Sequence, residues 1–199
     1  MINTIVKNII PYLEALNFSE VVGGIATTIS QNKPIKDNKF IVKKFPAYYN
    51  ENKTTCNASD YIDLVPNSNK RSIIYFENNG IKISPINGNI IECVADVRLV
   101  CWANLKKIND TFINADILKL LVIQAMPSSL SNVLPYSFIR IQLTGEEIKN
   151  VSIFSKYTYN EEEKQYLIYP FDYFALNYEI SFYVGINCID PILISPSVC

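Results

Sequence analysis

The chain has 199 residues, 49% hydrophobic and 19% charged, enough to bury one core unaided and too apolar to stay disordered. Its net charge of −1 and its three arginines (Arg71, Arg98, Arg140) argue against the basic surface that neutralises phosphates, so no sequence-specific nucleic-acid binding is expected. No stretch approaches the ~18 apolar residues of a membrane helix, and Pro11-Tyr12 interrupts the only early apolar run, so neither a membrane span nor a secretory signal is expected.

Ile2, Ile5, Val6, Ile9, Ile10, Leu13 and Leu16 recur at helical spacing and predict an amphipathic N-terminal helix, kinked or split at Pro11, with its apolar face on a sheet. Residues 18–30 read as extended, with Gly23-Gly24 marking a bulge or a close backbone approach. Gln31–Lys39 reads as a hairpin loop before a short strand, Phe40–Phe45. Residues 46–70 are rich in Pro, Asn, Lys, Thr, Ser and Asp and predict a long loop insertion, anchored to a surface by Tyr48, Tyr49 and Tyr61.

Ser72–Glu77, Asn78-Asn79-Gly80 and Ile81–Ser84 spell a β-hairpin, since Asn-Gly supplies the positive φ angles of a tight turn. A second turn at Asn87-Gly88-Asn89 leads into a long strand, Ile90 to about Leu105. There Ile91, Cys93, Ala95, Val97, Leu99, Cys101 and Ala103 form a core-facing edge. The opposite face carries Asp96, Arg98 and Trp102, a mixture that suits contact with another subunit or, alternatively, a solvated sheet face with one covered tryptophan. Asp110 or Asn114 caps a helix through about Ala125, ended by Pro127. A Ser/Pro-rich connection, a strand over Phe138–Thr144, a short helix within Gly145–Lys156 and an acidic turn at Glu161–Glu163 follow. A final strand, Ala175–Ile186, alternates Tyr178, Ile180, Phe182, Val184 and Ile186 with polar neighbours. Residues 187–199, with Pro191 and Pro196, form an extended tail suited to lying on a partner.

The absence of histidine removes Ser-His and Cys-His catalysis and the usual imidazole base. The five cysteines are scattered without a CxxC pair, and no phosphate-binding glycine loop occurs, so no metal or cofactor is expected. Glu92 and Asp96 share a strand face but lie ~13 Å apart along it, too far for joint acid/base work; Asp60 and Asp63 read as solvated loop residues. A small enzyme whose carboxylates or thiols converge only in three dimensions, and a general protein-interaction module, are the competing readings.

The element order is an N-terminal helix, antiparallel strands, the central strand Glu92-Cys93-Val94-Ala95-Asp96-Val97-Arg98-Leu99-Val100, a packed helix and a final aromatic strand. Together with Ile168-Tyr169-Pro170-Phe171-Asp172-Tyr173-Phe174 leading into Tyr178-Glu179-Ile180-Ser181-Phe182-Tyr183-Val184, it resembles the neck and tail-terminator ring proteins of tailed bacteriophages, including crAss-like and related Bacteroides phages. The resemblance spans most of the chain as a pattern. It implies a single α+β domain over 1–199 whose antiparallel sheet is packed by the N-terminal and central helices, with the 46–70 insertion as a departure. It further implies a non-enzymatic virion protein, assembled in the host cytoplasm, whose partners are its own copies in a ring and neighbouring portal, neck or tail proteins.

Overall fold

The computed structural model describes residues 1–34, 40–49, 61–85, 89–108, 114–148, 151–159 and 164–185. Within them lie α1 (Ile2–Glu14), β1 (Val21–Ile25), β2 (Thr27–Pro34), β3 (Phe40–Tyr49), β4 (Tyr61–Asp63), β5 (Ser72–Pro85) and β6 (Ile90–Asn104). Then come α2 (Leu105–Ile108), α3 (Ala115–Ala125), β7 (Ser129–Leu130), β8 (Tyr136–Glu146), two short 3₁₀ turns (Val151–Phe154 and Gln165–Leu167) and β9 (Phe171–Gly185). The fold is mixed α+β and mostly sheet.

A six-stranded sheet in the order β1-β5-β6-β9-β8-β7 stands beside a smaller sheet, β2-β3-β4. The large sheet is antiparallel except where β1 runs parallel to β5. This corrects the expectation of a purely antiparallel sheet. The small sheet lies between β1 and β5 in the chain, and an excursion of that length lets the chain return to the same end before re-entering.

Gly23-Gly24 is where β1 departs from regular pairing, with a register shift between Val22 and Ile25. It is also a close approach, because a Cβ on Gly24 would stand 2.6 Å from a ring carbon of Tyr48. Both readings of this glycine pair hold. The helix α1 continues through Pro11 instead of splitting there, with Ile2, Ile5, Val6, Ile9 and Leu13 buried on the sheet. Pro11 lies in its last turn, where a single lost hydrogen bond is tolerated. Asn114, one of the two cap candidates, accepts from the Ile117 N–H at 3.0 Å and starts α3.

Three other expectations need correction. Asn78-Asn79-Gly80 is a bulge within one strand, not a hairpin turn: β5 pairs with β6 on both sides of it, and the register shifts between Asn78 and Gly80. The positive φ that Asn-Gly favours is used at Gly80 (φ +147°) to absorb the extra residue. Second, the supposed loop segments Gln31–Pro34 and Pro46–Tyr49 are strand. β2 and β3 pair from Thr27↔Ala47 to Pro34↔Phe40, and Tyr49 faces Tyr61 across β3 and β4. The 46–70 insertion is thus partly a strand extension, with 50–60 outside the described residues. Third, the short helix within 145–156 is reduced to one 3₁₀ turn, because β8 extends to Glu146. The acidic turn 161–163 and the tail 187–199 also fall outside the described residues.

The alternation in β6 is as expected. Cys93, Ala95, Val97, Leu99, Cys101 and Ala103 join a core beneath α1 and α3, with Tyr178, Ile180, Phe182 and Val184 of β9. Val100 and Trp102 point the other way, into a second core with Leu64, Ile73, Tyr75, Ile153, Phe154 and Tyr157. Around Arg98 and Trp102 the sheet is covered on both faces, while Asp96 stays exposed on the second.

Candidate functional site

The covering of the second face decides the fate of two expected interface residues. Arg98 and Trp102 do not face outward to another subunit: within this chain Trp102 is 0% exposed, in keeping with the alternative of a covered tryptophan, and Arg98 9%. Their partners come from the same chain. The Trp102 indole stacks on Phe171 with ring centroids 5.5 Å apart, and its Nε1–H donates to the Tyr166 carbonyl at 2.6 Å.

Arg98 sits opposite Glu77 in the β5–β6 register, so the two side chains meet across the strands. Its Nε donates to Glu77 Oε2 at 2.7 Å and Nη2 forms an ion pair with the same carboxylate. Nη1 reaches both oxygens of Glu147 at 2.8 Å, and Nη2 donates to the Ile153 carbonyl at 3.2 Å. Lys156 Nζ stands 2.7 Å from Glu77 Oε2, and the Tyr157 hydroxyl donates to Glu77 Oε1. Burial pulls the Arg98 guanidinium down, but Glu77 and Glu147 outweigh it and hold it above its ordinary value. Burial, then the Glu77 charge, pushes the Tyr157 phenol up. Glu77 is thus engaged on both oxygens by two cations and a phenol and is closed off from solvent. This arrangement ties Glu147, Ile153, Lys156 and Tyr157 to the sheet.

Tyr75, Tyr157 and Tyr178 all have phenols raised mainly by burial. In the unfolded chain such phenols ionise near ~10. Folded stability from these groups is therefore complete below that pH and is lost as pH rises toward the higher folded values. In an alkaline titration, part of the phenolate absorbance of the 13 tyrosines should appear only together with unfolding. Reversible ionisation of all of them near the ordinary value in the folded protein would contradict this burial.

The remaining expected interface residues are scattered. Asp96 is exposed and stands 3.9 Å from Lys82, a surface pair of little energetic weight. Tyr49 and Tyr61 bring their rings to 5.3 Å, while Tyr48 packs against Gly24. Among the described residues no group of three or more Cys, Asp or Glu side chains is placed to hold a metal ion. Among them also, no helix is long and apolar enough to cross a membrane.

A site without a sequence motif lies at the far end of the sheet. An open groove of about 690 Å³ is lined by Ile90, Leu134, Pro135, Tyr136, Phe138 and Tyr183, with Ser137 and Gly185 completing it and no charged side chain among them. It lies where the sheet register brings Ile90 beside Gly185 and Tyr136 beside Val184. Two of its side chains are presented to solvent, Leu134 at 85% and Phe138 at 83% exposure.

Phe138 takes a positive φ of 51°, uncommon for a bulky residue. The cause is a β-bulge: the β8–β9 register shifts between Ser137 and Arg140, and this turns the ring outward over Tyr183, edge-on at 5.9 Å. The sequence signal is Leu134-Pro135-Tyr136 at the end of the Ser/Pro connection, followed by Ser137 and by Phe138, the first residue of the expected strand. No known protein family, curated protein or solved structure matches the chain.

Proposed function

We propose that the chain is a structural subunit that assembles with its own copies through the apolar groove at the Ile90–Phe138–Tyr183 end of the sheet. The carrying observation is Phe138, an aromatic ring 83% exposed and held in a left-handed backbone conformation at a bulge on the groove's rim. Backbone strain of this kind costs on the order of 1–3 kcal/mol; it persists only where the surrounding structure enforces it, here the bulge against β9, and such residues cluster at functional surfaces. Large exposed apolar side chains grouped in one place mark a contact surface. The lack of charge in the groove favours another protein surface over a nucleic acid or an ionic ligand.

Within this reading the setting is a ring in the head–tail connector, neck or tail-completion region of a tailed phage. Portal, neck or tail proteins would be the axial neighbours and the virion the final location. That setting rests on the resemblance of element order and of the closing aromatic strand. Electron micrographs of the purified protein test it: closed rings of uniform diameter are expected, and a field of single small particles at every concentration would refute it.

A further inference from the structure

We propose that the groove receives the corner Ile168–Tyr169 of the next copy, so that subunits join head to tail. This rests on the self-assembly reading above and names the surface that fills the groove.

The corner and the groove occupy opposite ends of the same strand. β9 starts at Phe171, just after the corner, and ends at Gly185, in the groove wall. Fifteen residues at ~3.3 Å each hold the two roughly 50 Å apart, so no copy fills its own groove with its own corner.

The corner is apolar and prominent, with Ile168 66% and Tyr169 83% exposed. It is also held in place from within. The Phe171 N–H donates to the Ile168 carbonyl at 3.0 Å, the Leu105 N–H donates to the Pro170 carbonyl at 3.1 Å, and the Phe171 ring is stacked on buried Trp102. An anchor ordered in advance loses little entropy on docking.

Size and chemistry match. The groove volume of about 690 Å³ is within the ~300–1,000 Å³ of cavities that engulf a sizeable ligand, room for one aromatic and one aliphatic side chain. Ser137 gives the lining an aliphatic hydroxyl, a partner for the polar tip of an inserted tyrosine. With aromatics burying ~150–250 Å² each, Tyr169 and Phe138, flanked by Ile168, Leu134 and Ile90, form the apolar centre of a contact. A contact between two different surfaces repeats from copy to copy and closes into a ring when the rotation allows.

The test uses Phe138→Asp, which spoils the groove, and Tyr169→Asp, which spoils the corner. Both side chains are exposed, and the emission of buried Trp102 checks that each variant stays folded. Each variant alone should be monomeric by native mass spectrometry, with association weakened at least ~100-fold, the scale of a lost interface anchor. Mixed in equal amounts, they should form a heterodimer and nothing larger, because one intact corner and one intact groove remain. A wild-type assembly left unchanged by Tyr169→Asp, or folded variants that fail to pair on mixing, would overturn the corner-in-groove contact while leaving self-assembly standing. A wild-type chain that is itself monomeric would remove both.

Discussion

Replacing Arg98 by methionine should cost about 3–5 kcal/mol of folding stability, the range for leaving one member of a buried ion pair without its partner. Glu77 is only 2% exposed and would keep Lys156 and Tyr157 but lose the guanidinium that engages it from the neighbouring strand. Glu147 would lose both of its 2.8 Å bonds and the Ile153 carbonyl its guanidinium donor, so both would be loosened from the sheet. The companion variant separates charge burial from packing. Glu77→Met combined with Arg98→Met removes both buried charges, and apolar replacements of whole buried pairs are often close to neutral. The double variant should therefore recover a large part of the loss. Chemical denaturation followed by Trp102 emission measures both. Equal destabilisation by the single and double variants would show that the charges matter less than the side-chain volumes.

The second large effect is expected at Trp102. Truncation to alanine removes the largest fully buried side chain, and Phe/Trp→Ala changes in a core cost about 3–5 kcal/mol. Trp102→Phe should cost less, since a ring still stacks on Phe171, but it leaves the Tyr166 carbonyl without the indole donor now 2.6 Å away. The bond is part-buried, so its loss adds about 0.5–1.5 kcal/mol, the net worth of a typical hydrogen bond. Because Trp102 is the only tryptophan, these variants need far-UV circular dichroism as the probe. If Trp102→Ala unfolded at the wild-type midpoint, the second core would be dispensable for stability.

Much of the architecture was legible in the sequence because it is written in periodicity. The β6 and β9 alternations, the α1 stripe and the Asn114 cap each arise from local geometry that a single chain reveals. Register was not. Arg98 read as half of a mixed, outward face because its partner Glu77 lies 21 positions away, and only strand pairing makes them neighbours. Trp102 read as outward for the same reason: its cover comes from Tyr166 and Phe171, far along the chain.

Asn79-Gly80 misled in another way. Its permissive backbone serves a turn or a bulge equally well, and the choice depends on whether β6 can pair along the whole of β5. Phe138 was read as an ordinary strand residue, since nothing local distinguishes an aromatic aimed at the core from one turned outward by a bulge. The groove therefore emerged only from three strand ends brought together.

Self-assembly is tested most directly by the native mass of the purified chain across a dilution series. A single discrete species, an integral multiple of the subunit mass with a fixed copy number, is predicted. A monomer at every concentration would contradict it.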